Sequence, residues 1–258
     1  AVQVASDPCA VRCTTCGLYR LSPRMSRDEQ MAYFDSLYTQ EVDIAQQDNP
    51  IEKAARSARE IEKLREVFPS VFHGGKALEI GCAGGAFVAA LQQADASATG
   101  IDPHPKFVAL GRKYGLDLHA GRFETGGIPA ELQGKTFDLV CFRESIYYMP
   151  DLRETFDLLQ TYLRPGGHLY IKSHIATSIF YRKNRDFTSR YTRYVAGMPT
   201  RKSLLYILKQ EGYQIQGIAH PLIDLPFLRG RLNKLLFPAV RTLGMADGLT
   251  VFAEARHL

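Results

Sequence analysis

A carboxylate two residues ahead of a glycine cluster is the most informative feature of this 258-residue chain. Residues 77–91 read ALEIGCAGGAFVAAL, an apolar run that enters Gly81, Gly84 and Gly85 and leaves as an Ala-rich helical pattern. The backbone must come close to a ligand there. A phosphate-cradling loop needs GxxxxGK[ST], and no Lys follows these glycines. A dinucleotide fingerprint needs GxGxxG, whereas Gly81, Ala83 and Ala86 stand at its three positions. Glu79 decides among the remaining ligands, because a carboxylate beside the loop repels pyrophosphate and suits an ammonium group. About twenty residues on, Asp102 ends a second apolar run, where an acid accepts hydrogen bonds from ribose hydroxyls. Together the two acids call for a cationic nucleoside with an amino group at one end, a ribose at the other and no phosphate between.

The elements that must position these residues follow from periodicity. From Lys76 onward, short apolar runs at 77–81, 98–102, 116–120, 137–142 and 168–173 alternate with helical patterns around 86–94, 105–114 and 151–163. This alternation predicts right-handed crossovers and a parallel sheet covered on both faces. After a Tyr- and Arg-rich stretch (176–200) come a helix, RKSLLYILKQEG, a strand, YQIQGIAHP, a basic linker and a final strand, LTVFAEA. The expected fold class is α/β: a Rossmann-like, seven-stranded, mostly parallel sheet with helices on both faces and an antiparallel edge hairpin. Ligands of such sheets settle beyond the carboxyl ends of the strands where strand order reverses, and the Glu79 loop follows the first strand. Upstream, Ile51, Ala54, Ala55, Ala58, Ile61 and Leu64 form a stripe that predicts helices leading into the core. Two regions are expected, a Cys-containing arm with helices over 1–54 and the α/β domain over 55–258.

Composition sets outer limits. Hydrophobic residues make up 45% and charged residues 23%, enough for a packed core. No run approaches the roughly 18 uninterrupted apolar residues of a membrane helix. The N-terminus shows no secretory leader pattern and no Met, so a processed or truncated start is expected. The five cysteines are an odd number, and Cys82 and Cys141 lie inside apolar runs, which points to a reducing cytoplasm rather than a disulfide framework. Net charge is +5, but between Tyr181 and Arg241 there are twelve Lys/Arg and three acids. Such a field suits an anionic substrate, nucleic acid or acidic membrane surface, and a solvated basic face with no partner gives the same pattern.

S-adenosylmethionine has the anatomy that Glu79 and Asp102 demand. Over roughly residues 55–258 the chain resembles the class I S-adenosylmethionine-dependent methyltransferases, on EIGCAGG (79–85), ID (101–102), FDLVCF (137–142) and LRPGG (163–167), in that order. RCTTCGLYRLSP near the start, MPD (149–151) and DGLTVFAEAR near the end resemble a bacterial subgroup with a cysteine-bearing N-terminal extension, acting on small molecules and on surface-glycan or natural-product precursors. The resemblance implies that Gly81 and Gly85 let the backbone approach the methionine portion, that Glu79 orients its ammonium and that Asp102 holds the ribose. The implied cofactor-contacting set is Glu79, Gly81, Cys82, Gly85, Phe87, Asp102, Pro103, Arg122, Phe123 and Arg143. Phe107 reads as core, and Ala83 replaces the middle glycine of the family's GxGxG. Many relatives place an acid after a glycine at the third strand end to receive the adenine amino group. This chain has Gly121, Arg122, Phe123 and Glu124 there, so Arg122 or Phe123 is expected to stack on adenine instead, with ordinary packing as the alternative.

Methyl transfer is an in-line displacement at a sulfonium, for which a protein supplies alignment, plus a base only where the nucleophile must lose a proton. After the fourth strand many relatives carry an acid and, four residues on, a His; those places hold Glu144 and Tyr148, so the usual neutral-pH base is replaced by a phenol. Glu144, Tyr147, Tyr148 and His174, the last just after the fifth strand, are the candidate catalytic residues. A core or lid role is the alternative for each Tyr. No [DNS]PP[YF] follows the fourth strand, which argues against the amino-methyltransferases of DNA, and Cys141 reads as a strand residue rather than a nucleophile. The segment 176–200, with its interleaved arginines and tyrosines, falls where this class places a substrate lid, and it suits a phosphate or a ring. Cys9, Cys13 and Cys16 contain a CxxCG turn that makes zinc a candidate, although only three ligands are present and relatives usually have another Cys pair upstream. A partly ordered arm with free thiols is the alternative. The expected function is a cytoplasmic methyltransferase acting on a small acceptor, anionic or linked to a nucleotide or glycan. An RNA (tRNA) methyltransferase and a non-catalytic cofactor-binding protein of the same fold are the alternatives.

Overall fold

The computed structural model describes residues 2–6, 9–23, 25–39, 49–177, 195–219 and 248–256. The N-terminal residues, expected as a partly ordered arm or a zinc knuckle, form a three-stranded antiparallel sheet of β1 (Val2–Ser6), β2 (Cys9–Arg12) and β3 (Tyr19–Leu21). It is fastened to the rest of the chain by a two-way backbone bridge, Tyr19 N to Met198 O at 3.1 Å and Met198 N to Tyr19 O at 2.8 Å. Helix α1 (Arg27–Thr39) follows.

Two short helices lead into the main sheet. In α2 (Pro50–Ala54), the Asn49 side chain accepts from Ile51 N, and Pro50 sits at the first turn where its missing N–H costs nothing. A single 3-10 turn over 55–57 joins it to α3 (Ala58–Val67). The buried stripe runs Ala54, Ser57, Ile61, Leu64 and Phe68. Ile51, Ala55 and Ala58, expected on that stripe, face outward, because spacings of three and four counted through the 3-10 turn select Ser57 in place of Ala58.

The main sheet contains β4 (Lys76–Ile80), β5 (Ser97–Asp102), β6 (Leu118–Ala120), β7 (Phe137–Arg143), β8 (Leu163–His174), β9 (Tyr213–Ala219) and β10 (Gly248–Ala255), in the order β6-β5-β4-β7-β8-β10-β9. All seven expected strands are present, and β10 runs antiparallel to both β8 and β9. The expected antiparallel edge pair therefore exists, with β9 outermost and its connection to β10, residues 220–247, outside the described residues. Helices α4 (Ala86–Gln93), α5 (Pro105–Lys113), α6 (Leu152–Tyr162) and α7 (Arg201–Gln210) complete the domain. Asp151 caps α6 through Arg153 N and Glu154 N, and Thr200 and Ser203 form a reciprocal cap on α7.

Strict alternation along the central strands divides the core. Leu78, Ile80, Val140, Phe142, Leu169 and Ile171 face one layer with Phe156 of α6 and Leu204 of α7. Ala77, Leu139, Cys141 and Tyr170 face the other, with Leu64 of α3 and Phe87 of α4. Glu79, Arg143 and Lys172 fall by the same alternation on this second face. Among the described residues no helix is long and apolar enough to cross a membrane.

Gly111 on α5 lets that helix touch the glycine loop. A Cβ there would overlap Leu118 and lie 2.7 Å from the Gly84 carbonyl oxygen. Gly111→Ala is therefore expected to destabilise the protein by about 1–3 kcal/mol through overpacking, read as a drop of several degrees in thermal denaturation.

Candidate functional site

The loop between β4 and α4 turns through three left-handed residues, Gly81 at φ 78°, Ala83 at 47° and Gly85 at 83°. Gly81 is required on two counts, since a Cβ would also sit 2.5 Å from the Ser145 Cβ. Gly81 N and Cys82 N both donate to Ile101 O, at 2.8 and 3.2 Å, so the turn is clamped onto the neighbouring strand. Cys82 is buried against Gly100, where a Cβ would come 2.6 Å from its sulfur. Ala83 carries the modest strain of a left-handed residue with a side chain. Its N–H donates to Asp102 Oδ2 at 2.8 Å, while His104 N donates to Oδ1 at 2.9 Å. Burial raises the Asp102 pKa, and those two donors oppose the rise. Each carboxylate oxygen has a second lone pair left for a ligand hydroxyl.

Glu79 is buried at 3% exposure, and its Oε2 has no hydrogen-bond partner among the described residues. Burial pushes its pKa up to about 8; the Arg143 cation opposes this, and the carboxylates of Glu60 and Asp102 add to it. Arg143 lies over the Phe87 ring at 5.0 Å and gives its donors to Glu60 of α3, with Nε to Oε1 at 3.1 Å and Nη2 to Oε2 at 3.0 Å.

Two clefts meet at Gly81. One holds about 550 Å³ of empty space between Ile101, Pro103, Gly121, Arg122, Phe123 and Glu124 on one side and Arg27, Gln30 and Met31 of α1 on the other. The second holds about 650 Å³ and is lined by Lys53, Glu79, Cys82, Ala83, Phe87 and Arg143. Gly81 belongs to both. The expected residues Glu79, Gly81, Cys82, Phe87, Pro103, Arg122, Phe123 and Arg143 are thus brought together around one bend, and Gly85 starts the helix behind it. Phe107, expected as core, is buried. Phe123 lines the first cleft while packing edge-on against Tyr162 at 5.4 Å, and Arg122 pairs with Glu124 at 2.6 Å.

Several lining residues gave no signal in the sequence. Glu124 is a buried acid on the first cleft and is also paired with Arg27 at 3.4 Å, with Gln30 donating to Tyr148 O at 3.2 Å nearby. An acid does stand at the third strand end, three residues past Gly121 rather than directly after it. Arg27 and Gln30 of the first cleft, and Glu60, which holds Arg143 of the second, come from helices ahead of the glycine loop, where no spacing ties them to it.

Of the candidate catalytic residues, Glu144 just after β7 meets His174, which is the last residue of β8 rather than just past it. Glu144 adopts a left-handed φ of 60°, and its Oε2 accepts His174 N at 3.1 Å and lies 3.6 Å from His174 Nε2. Tyr147 is buried, with its ring 6.3 Å from the His174 ring and 4.5 Å from that of Tyr148, which faces the first cleft.

The expected zinc site gains no support. Among the described residues no group of three or more His, Cys, Asp or Glu is placed to hold a metal, and the Cys9 side chain lies outside them. Cys13 and Cys16 are free thiols on a turn, so on their own they offer two of four ligands. Backbone N–H groups of Cys16 and Thr15 lower the Cys13 pKa to about 7, while burial raises that of Cys16. Cys141, in β7 as expected, and Cys82, in the glycine loop, are buried thiols with pKa values pushed well up by burial. Most of the expected lid, residues 178–194, and the basic linker at 220–247 lie outside the described residues.

A family model described as a methyltransferase domain matches residues 52–216. The chain belongs to that methyltransferase family. A ubiquinone biosynthesis O-methyltransferase of Acinetobacter baumannii (strain ACICU) is 29% identical over 104 residues, 39% of this chain and 44% of that protein. One from Bordetella avium (strain 197N) is 28% identical over 117 residues, 44% and 48% of the two chains. The chain thus matches less than half the length of these curated relatives. Among solved structures, an S-adenosylmethionine-dependent methyltransferase from Mesorhizobium loti superposes with a TM-score of 0.54 at 20% identity, covering 75% of this chain and 96% of that one. One from Archaeoglobus fulgidus gives 0.52 at 16%, covering 76% and 93%. These likenesses show the fold.

The site of this methyltransferase fits S-adenosylmethionine. A carboxylate oxygen that is buried and unpartnered among the described residues suits an ammonium group, and two clefts bend around Gly81 beside it.

The raised pKa of Glu79 makes a prediction without any ligand. Its ordinary value of 4.5 applies to the unfolded chain and about 8 to the folded one. Stability from this group is therefore complete below pH 4.5 and lost as pH rises toward 8. Glu79→Gln should raise the melting temperature of the ligand-free protein, with an advantage that grows from pH 5 to pH 8, is roughly 3 kcal/mol at pH 7 and rises by about 1 kcal/mol more by pH 8. Melting curves of both proteins across that range check it, and a gap independent of pH would mean Glu79 does not titrate there.

Proposed function

We propose that the chain moves a methyl group from S-adenosylmethionine to an oxygen atom of a small, anionic acceptor. The observation that carries this reading is the Glu144–His174 pair, an imidazole 3.6 Å from a carboxylate at the ligand-binding edge of the sheet. An acceptor hydroxyl must shed a proton as it is methylated, whereas a neutral amine attacks without prior deprotonation. The cofactor supplies an electrophilic methyl on a sulfonium, so what remains for the protein is placement and the proton.

Glu79 would receive the cofactor's ammonium, Asp102 its ribose hydroxyls, and Pro103, Arg122 and Phe123 would wall its adenine, with Gly81 giving backbone clearance; Gly85, whose Cβ would meet Leu116 and Leu118, answers to core packing instead. Glu144 would hold the His174 ring through Nε2, which lies 3.6 Å from its Oε2, and His174 Nδ1 would accept the hydroxyl proton. Tyr147 and Tyr148 would shape the acceptor side. The O-methyltransferase names of the relatives from Acinetobacter and Bordetella agree with transfer to oxygen. The twelve Lys/Arg among residues 181–241 support a negatively charged acceptor.

The test incubates the protein with S-adenosylmethionine and a panel of phenols and amines, each with and without a carboxylate or phosphate. Expected is a product methylated on oxygen, favoured for the anionic phenols, and mass spectrometry with fragmentation reads it. His174→Ala should lower kcat by about 10²–10⁴ while S-adenosylhomocysteine still binds. Methylation confined to amines, or unchanged kcat in His174→Ala, would refute the proposal.

A further inference from the structure

The sheet face that carries Glu79 also carries two cations. Glu79 stands beside Cys141 of β7, Arg143 follows two residues further along the same face, and Lys172 of β8 lies opposite Arg143. Arg143 and Glu79 line the same cleft and feel each other's charge. A buried carboxylate near a guanidinium ordinarily pairs with it, because a shared bidentate bond offsets much of the desolvation of both. Here the pair is not made. Arg143 instead binds both oxygens of Glu60, Nε at 3.1 and 3.2 Å and Nη2 at 3.0 Å, with its guanidinium over Phe87. Glu60 also takes Lys172 Nζ at 2.9 Å and the Tyr170 hydroxyl at 2.7 Å. Its pKa is lowered: burial pushes up, and Arg143, Tyr170 and Lys172 together outweigh it. One carboxylate from α3 thus engages both cations, and Glu79 Oε2 is left without a partner.

We infer that Glu60 is a positioning residue for cofactor binding: by holding Arg143 against Phe87 it keeps that guanidinium off Glu79, so that the Glu79 carboxylate stays open to the ammonium of the incoming cofactor. The inference rests on the role proposed above for Glu79. Arg143 is permanently charged and already lines the cleft, so once released it competes with the ligand for the same oxygen. Loss of Glu60 converts Glu79 from a receptor into half of an internal salt bridge. Glu60 lies within the residues that match the methyltransferase domain, but the EIGCAGG motif of the loop begins only at Glu79 and does not point to α3.

Calorimetric titration with S-adenosylhomocysteine at pH 7 tests this. Glu60→Gln is expected to weaken binding at least about tenfold, one factor of ten corresponding to about 1.4 kcal/mol. The double variant Glu60→Gln/Arg143→Gln is expected to regain most of the loss, because the competing cation is gone. A purely structural role for the pair gives the opposite sign, with the second substitution leaving the damage in place or adding to it. Glu60→Asp keeps a charge in the network but is one methylene shorter; it guards against a Gln variant that does not fold and should show a smaller loss, again relieved by Arg143→Gln. Wild-type affinity in both folded Glu60 variants, or a double variant that binds no better than Glu60→Gln, overturns the inference. Glu79→Gln separates the two levels. If it binds as tightly as wild type, the Glu79 role falls and the inference with it; if it loses binding while folded Glu60 variants do not, only the inference about Glu60 falls.

Discussion

An acid buried in the middle of a parallel sheet with one oxygen unpartnered is a standing cost to the fold. Removing a carboxylate from water costs several kcal/mol unless a cation or donors replace the lost hydration, and Glu79 meets that problem in the ligand-free protein by holding its proton more tightly. The rest of the site is organised around this group. Gly100 stands opposite it on β5 and Cys141 on β7, so neither of those neighbours brings a charged side chain to it. The two cations within reach along the sheet are tied to Glu60.

Geometry beside that charge comes from strand order. With β4 flanked by β5 and β7, the chain reverses direction of sheet growth at β4, and the loop after it faces open space rather than the next crossover. Asp102 ends β5 beside this loop and accepts the Ala83 N–H, so the acid expected to hold a ribose also holds the turn. The proposed ribose contact and the loop shape therefore share one side chain, which makes Asp102 costly to alter for either purpose alone. Ser145, after β7, closes the opposite side by donating to Ile80 O and pressing on Gly81. Three strand ends thus fix a turn of five residues.

Segments upstream of the family match complete the walls. Helix α1 closes the first cleft, held by Arg27 to Glu124 and Glu154 and by Gln30 to the Tyr148 carbonyl. The β1–β3 sheet is bonded at Met198, three residues ahead of α7. The loop and its acids lie within the family match, whereas Arg27, Gln30 and Met31 of α1 add a wall to the first cleft.

Residue order along the chain made the α/β architecture readable, because apolar runs of period two and helical stripes alternate and each element needs only near neighbours to declare itself. It also made Glu79, Gly81 and Asp102 readable, since a tight turn and two acids at fixed spacing carry their chemistry locally. Several things were not readable there. The 3-10 turn at 55–57 changed which residues of the upstream stripe are buried. Cys13 and Cys16 fit a metal motif by spacing, but a metal needs ligands converging from elsewhere, and none converge among the described residues. Glu60, more than eighty positions from Arg143, and Arg27, nearly a hundred from Glu124, become partners only when helices pack on the sheet. Spacing along a chain encodes local turns and periodic faces; which charge answers which other charge depends on packing between distant segments, and that is settled by the folded chain.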